Sequence, residues 1–423
     1  MDESVSPDEA YRLVYLARSV DEVVRRYMTR LCRLQDEGFE VHVLAGAGAG
    51  FDELAAQGIH AKKIPVRSAV NVAGLAGAYF IIQAYLFEKR PVLVHSFGHR
   101  LAWQGTFAAE QAGVPAIFST LDFHWLEEDP IQLPLGPLAL LGMPRFVDRA
   151  ERGINKALGW PYRRSMREAY RWLAGAVDRY VVTPEFDLKL AQDLELASPK
   201  KLEMAIGGAG VDLERFSLDE EGDPDREEAR RSLGLPGHWR QVVGWVGPVT
   251  RRHGAEELTA AMESLRHSHP SAGWLVVPRG KMADGQRRRL RRLEREGFVQ
   301  VLQEGKADAR LYRAMDLFAW GGRASTPHDP IMEAAAMAVP TVGFDTPGAR
   351  SLIENGQTGR LVFDETGASL ASGLARLLND PTYLRELGWR ARTRANLRFA
   401  RRAVDDQILR LYDRVLRQKM TPS

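Results

Sequence analysis

Several things scarce in this sequence exclude whole classes of protein. Among 423 residues there is a single cysteine, Cys32, so neither an internal disulfide nor a multi-cysteine metal site can form. Met28, Leu31 and Leu34 recur around it at helical spacing, which predicts a buried, inert thiol rather than a nucleophile. The histidines number ten and are scattered. His95 and His99 are four apart, but that spacing aligns two metal ligands only on a helix. Here it runs from a strand end through Gly98 with no carboxylate inside it, so no metal is expected. Long apolar runs are also few. The longest, residues 69–87, is interrupted by Asn71, Gly74, Gly77 and Gln83, and falls just short of the roughly 20 residues of a membrane span. The apolar stretch 91–96 follows at once and reads as a buried strand, so a core helix feeding that strand is expected. Residues 1–10 are acidic and polar, unlike a secretory leader, and a cytoplasmic location is expected.

What remains is ordinary globular material, 45% hydrophobic and 27% charged. Its length exceeds what one core usually serves, so two domains are expected. In the first half, apolar strands at 11–17, 40–45, 91–95, 115–120 and 179–183 alternate with helical periodicity at 21–37, 69–88 and 101–112. That rhythm means a parallel, doubly wound sheet. Residues 122–160 break it with four prolines among Leu, Trp and Phe, and read as an irregular insertion. A second series begins after the charged stretch 219–231, with strands at 241–246, 273–277, 299–302, 317–320 and 341–344. The expected domains are 1–212, a linker 213–238, a second domain 239–398, and a C-terminal helix 399–423. Two Rossmann-like domains of this α/β kind hold a ligand in a cleft between them.

Charge is nearly balanced, at +3, but basic residues cluster. Arg149, Arg152, Lys156, Arg163, Arg164, Arg167 and Arg171 share one stretch with aromatic and aliphatic residues. Such a stretch reads either as solvated helix faces or as a contact with an anionic membrane surface, which would place the protein at the inner face of the cell membrane. A second cluster, residues 287–292, lies in a helix with little aromatic character, and no nucleic acid is expected as partner.

The most informative segment is 316–344, DLFAWGGRASTPHDPIMEAAAMAVPTVGF. A strand runs into a Gly- and Pro-containing loop, a helix carrying Asp329 and Glu333 follows, and Pro340 opens a second strand. Such a strand-loop-helix turn aims helix N-terminal amides at a ligand phosphate and one carboxylate at its hydroxyls. The segment resembles the donor-site signature of the family-4 retaining glycosyltransferases, which have the GT-B fold. The resemblance extends over most of the chain: Gly210-Val-Asp-Leu-Glu-Arg-Phe216 is similar to the family's interdomain turn, and Phe399 and the helix after it to the segment that crosses back. It implies that Glu333 accepts hydrogen bonds from a nucleotide ribose, with Ala338 where glycine is usual. The family's first glutamate falls on Ser325, which lacks a carboxylate's charge.

Other departures fall where a diphosphate would sit. After the strand ending at Gly247, Pro248 stands where the family has arginine and His253 where it has lysine. A fixed cation there stabilises charge growing on the leaving group, so Arg251, Arg252 and a protonated His253 are the candidate replacements. The family's His-Gly pair aligns with Asp122-Phe123, with His124 beyond, and these are the candidate catalytic residues, Asp122 and His124. A Gly-rich loop after the first strand is replaced by residues 17–21. Arg18, His95 and His99 are candidate acceptor-side contacts. The resemblance implies a hexosyltransferase that moves a sugar, with retention, from a nucleotide-sugar donor to a cell-envelope polysaccharide or lipid-linked acceptor. No metal or other cofactor is expected. The alternative is a degenerate GT-B protein serving as a binding or scaffold subunit; an epimerase of the same architecture fits the motifs less well.

Overall fold

The computed structural model describes residues 11–66, 72–121, 168, 171–182, 188, 191–193, 195–204, 208–218, 226–280, 282–302, 308–323 and 329–420. The chain divides into two compact units, residues 1–183, 187–205 and 405–423 forming the first and residues 184–186 and 206–404 the second. The irregular insertion expected at 122–160 lies outside the described residues.

The first unit holds a seven-stranded sheet in the order β3-β2-β1-β4-β5-β6-β7. Its strands are β1 (Tyr11–Ala17), β2 (Phe39–Ala45), β3 (His60–Lys63), β4 (Leu93–Phe97), β5 (Ala116–Leu121), β6 (Arg179–Val182) and β7 (Leu202–Met204). Neighbouring strands are parallel throughout. Strands buried on both faces favour continuous apolar sequence, which β1 supplies from Leu13 to Ala17; β4 is buried throughout but carries His95 and Ser96. Helix α1 (Val20–Asp36) buries Val20, Val23, Tyr27, Leu31 and Leu34 along one face. Cys32 lies beside that face and is half-exposed, not buried as expected; desolvation raises its thiol pKa. After the short α2 (Phe51–Ala56), helix α3 (Val72–Lys89) buries Ala78, Ile82, Tyr85 and Leu86. It was expected as a core helix, yet Phe80 and Phe87 are exposed on it, because only one side meets the sheet and α4 (His99–Gln111).

The second unit holds a six-stranded parallel sheet in the order β10-β9-β8-β11-β12-β13. The residues expected as a linker instead hold helix α5 (Arg226–Ser232), which packs into this unit. Arg226 and Arg230 both donate to Asp316, at 2.6 and 2.5 Å, and the Val242 amide donates to the same carboxylate at 2.6 Å. The sheet continues with β8 (Gln241–Gly247), α6 (Ala255–Ser268), β9 (Ala272–Pro278), α7 (Asp284–Arg295), β10 (Val299–Val301), α8 (Ala309–Arg313) and β11 (Leu317–Trp320). It ends with α9 (Asp329–Ala336), β12 (Thr341–Phe344), α10 (Pro347–Leu352), β13 (Gly359–Val362), α11 (Gly367–Leu378) and α12 (Pro381–Arg394). Strand β13 and helices α2 and α10 are too short to show a period in the sequence.

The turn at residues 210–216 stays inside this unit. Gly210 has φ +70°, and a Cβ there would lie 2.6 Å from Arg401 Cα, so only glycine lets Val211 pair with Ala400. Asp212 accepts from the amides of Glu214 and Arg215 and from Arg401, while Phe216 is buried beside Tyr312. The final helix, α13 (Arg401–Met420), joins the first unit from Asp405 onward. Asp405, fully buried, accepts from Arg30 Nε at 2.7 Å, and the Tyr412 hydroxyl lies 2.9 Å from that of Tyr15.

Candidate functional site

The residues of the second unit that could meet a nucleotide gather at the carboxyl edge of its sheet. Strand β8 ends at Gly247, whose carbonyl accepts from the Arg279 amide at 2.9 Å, so the ends of β8 and β9 are tied by their backbones. Beyond Pro248 the chain makes a tight turn at Arg251–His253, and Gly254, with φ +71°, leads into α6. A Cβ on Gly254 would meet the Gly321 carbonyl oxygen at 2.2 Å. The loops after β8 and β11 therefore touch through bare backbone, which no other residue at 254 permits.

Arg323, just past β11, fastens the first of these loops. It donates to the Arg251 carbonyl at 2.9 Å, to Glu257 at 2.7 Å and to Glu365 at 2.8 Å. His253 is half-buried, with Nδ1 2.7 Å from the Thr250 hydroxyl. Arg251 is exposed and Arg252 half-buried, both on the turn that opens α6.

Glu333 lies in the second turn of α9, behind Asp329 at the helix start. Its Oε2 accepts from the Tyr312 hydroxyl at 2.5 Å and from Arg279 Nη2 at 3.0 Å. The Glu333 side chain is 12% exposed and that of Arg279 18%, so this ion pair is largely shielded from water. Burial works against the charge on Arg279, but its acidic neighbours, Glu333 first among them, together raise its pKa and the guanidinium is held protonated. Burial, reinforced by the same carboxylate, raises Tyr312 well above the usual phenol range, which keeps its hydroxyl a donor. Both bonds fall on one oxygen, leaving Oε1 for a ligand hydroxyl. The chain Gly247–Arg279–Glu333 thus joins two segments that the sequence separates by 85 residues of other structure.

Arg279, Tyr312 and Arg323 were not among the candidates from sequence. Arg279 carries one visible signal: it follows the apolar run of β9 directly and precedes Gly280, at the edge where parallel sheets take ligands.

In the first unit, Arg18 is exposed directly after β1, at the carboxyl edge. His95 is placed differently from the expectation. It is fully buried on β4, with Nδ1 bonded to the Tyr412 hydroxyl and Nε2 2.7 Å from Thr120 Oγ1. Both ring nitrogens are used inside the core, so His95 has none left for an acceptor. Burial, with Arg30 adding to it, pushes its pKa well below the usual histidine range and keeps it neutral. The His99 backbone begins α4 behind Gly98, which has φ +82°. Asp122, His124 and Ser325 lie outside the described residues. The candidates thus form two groups, one in each unit, and the better defined is the Glu333 group.

Comparison with known proteins follows the same division. A model of glycosyltransferase family 4 matches residues 24–215, and one of glycosyl transferases group 1 matches residues 240–380. A D-inositol 3-phosphate glycosyltransferase of Segniliparus rotundus is 28% identical over 308 residues, 69% of this chain and 64% of that protein. The chain spans about half to two-thirds of the length of the curated relatives it matches. Among solved structures, a glycosyltransferase from Rickettsia africae superposes with TM-score 0.73 at 15% identity, covering 96% of this chain and 99% of that one. HepE of Anabaena, solved in complex with UDP, gives 0.70 at 16% identity over 95% of this chain and 99% of its own. With family models matched to both halves and two parallel α/β sheets like those of these structures, the chain belongs to the family-4 glycosyltransferases of GT-B fold.

Proposed function

We propose that the chain is a glycosyltransferase that takes its sugar from a nucleoside-diphosphate donor held at the carboxyl edge of the second sheet. The observation that carries this reading is the Glu333 carboxylate, oriented by Tyr312 and Arg279 with one oxygen uncommitted. Such an oxygen accepts from ribose hydroxyls, while Arg279 supplies a fixed cation one strand away from the position where Pro248 replaces the family's arginine. The N-terminus of α6, with Arg251 and Arg252 on the turn before it, adds amide dipoles and charge on the diphosphate side. Transfer would rest on positioning and on stabilising the departing diphosphate, without a metal. Retention at the sugar carbon, a hexosyl donor, and a cell-envelope polysaccharide or lipid-linked acceptor complete the proposal. Family membership supports these finer points.

Calorimetry with UDP, ADP and GDP on the wild type and on Glu333→Ala tests the donor site. Binding of one nucleotide that weakens in the variant supports it. Equal affinity in a folded variant would assign Glu333 to structure alone. A second reading, a scaffold subunit with a lapsed donor site, is favoured by one feature: Pro248 offers no charge at the end of β8. Any turnover of a sugar nucleotide by the wild type rules that reading out.

A further inference from the structure

The opposite, amino edge of the second sheet holds a cleft of about 1090 Å³ that the donor reading leaves without a role. Gln241 opens β8 there, Asp316 precedes β11, and Met337 and Ala338 precede β12. Five arginines line it, Arg226, Arg230, Arg240, Arg313 and Arg385, against the carboxylates of Glu227 and Asp316. Those two carboxylates are already committed: Asp316 to Arg226 and Arg230, Glu227 to Arg230. Arg240 and Arg385 are exposed, and their side chains have no hydrogen-bond or ion-pair partner among the described residues. Arg313 spends one Nη on the Ser217 carbonyl at 3.3 Å, while its Nε is buried without a partner. Among the described residues this concave surface carries a surplus of three positive charges, which attracts a compact polyanion. The remaining lining mixes polar side chains, Gln241, Ser271 and Asn379, with apolar ones that include Leu384 and the half-exposed Trp389, which suits a ring or hydroxyls carried by that anion.

We propose that this cleft binds a phosphorylated small molecule, a sugar phosphate or a nucleotide, at a site separate from the donor and coupled to it. Helix α9 supplies the link: it carries Glu333 and ends at Ala336, about 4.5 Å further along the helix axis at 1.5 Å per residue, directly before Met337 and Ala338 on the cleft wall. Helix α8 supplies a second. Tyr312 donates to Glu333, and its neighbour Arg313 lines the cleft. An anion that draws Arg313 outward acts on the same short helix that orients the donor carboxylate. Position alone separates the two sites, since they lie at opposite ends of the strands.

The test uses calorimetry on the full chain with glucose 6-phosphate and, separately, ADP as probes. The double variant Arg240→Ala/Arg385→Ala removes exposed side chains that hold no other element, and Glu333→Ala serves as the donor-site control. Expected is binding of at least one probe that persists in Glu333→Ala, falls tenfold or more in the double arginine variant, and weakens with salt. The probe that binds identifies the source, sugar phosphate or nucleotide. Affinity unchanged in the arginine variant overturns the site. So does failure of both probes to bind wild type. Coupling is read as a threefold or larger change in UDP affinity when glucose 6-phosphate saturates, and an unchanged affinity overturns it. UDP that binds under no condition counts against the donor reading, and the arginine-dependent binding then decides the cleft by itself.

Discussion

At the scale of single residues, the Glu333–Arg279 pair carries the clearest expectations. Loss of the carboxylate removes charged hydrogen bonds to a ligand, so Glu333→Ala should weaken nucleotide binding by about 1.5–3 kcal/mol, a shift readable by calorimetry. Arg279→Leu leaves the Glu333 carboxylate shielded from water and without its cation. Its cost should reach up to about 3 kcal/mol in a urea titration, and nucleotide affinity should fall with it. An Arg279→Leu protein with wild-type midpoint and wild-type affinity would remove this arginine from the site. Arg251 and Arg252 are tested the same way, by neutralising both and measuring donor turnover.

His95 gives a prediction about pH. Its folded pKa is depressed by burial, with Arg30 adding to the effect, so below the ordinary histidine range of about 6.5 the unfolded chain binds a proton that the folded chain refuses. The stability that neutral His95 contributes is complete above that pH and is lost as pH falls toward the depressed value. Thermal melts between pH 8 and pH 5 should show the wild type losing stability more steeply than His95→Gln. Parallel curves for the two proteins would mean that other groups account for the acid sensitivity.

At the scale of elements, the turn between α9 and β12 explains a departure already visible in the sequence. Ala338 has φ +54°, a left-handed conformation that costs an L-residue about 1–2 kcal/mol and glycine nothing. The extra freedom of glycine in the unfolded chain offsets about 0.4–1 kcal/mol of this. Ala338→Gly should therefore stabilise the protein slightly, by about 0.8 kcal/mol in urea titration, the difference between the midpoints of those two ranges. A clear loss of stability would show that the alanine methyl is worth more in the core than its backbone costs. Gly254→Ala should act in the opposite direction. Its Cβ would sit 2.2 Å from the Gly321 oxygen, forcing the β8 and β11 loops apart and reducing nucleotide affinity more than it lowers the melting temperature.

At the scale of the whole molecule, the exposed aromatics of the first unit bear on where the protein works. Phe80, Phe87, Trp103 and Trp172 are exposed on or near α3 and α4, and Trp103, Phe107 and Trp172 lie with ring centroids 5.8–6.5 Å apart. No helix among the described residues is long and apolar enough to cross a membrane. Trp172 directly follows the basic stretch that ends at Arg171. Aromatic rings beside basic residues suit the headgroup region of an anionic bilayer, so the chain should float with anionic vesicles at low salt and be released at high salt. Equal flotation with neutral vesicles, or none with either, would count against membrane contact.

The division between what the sequence determined and what the tertiary structure decided follows from the range of the forces involved. Apolar runs of strand length alternating with helical periodicity arise from local burial, so the two parallel sheets were readable from order alone. In the last helix Val404, Ile408, Leu411 and Val415 mark one face for burial, but that face names no partner, and its return to the first domain was implied by the family resemblance alone. Glu333 stood out because its helix follows a loop whose composition is itself a signal. Short elements such as β13 and α10 hold too few residues to show a period, and α5 was hidden in a charged stretch because only its packing on Asp316 makes it part of the core. His95 illustrates the limit most directly. A histidine at a strand end reads as a ligand contact until a helix from the far end of the chain brings Tyr412 onto its ring. Arg279 reads as any strand-end arginine until the sheet sets β9 beside β8 and α9 turns Glu333 toward it. Those pairings lie 317 and 54 residues apart in the chain, and only the folded backbone brings them within bonding distance.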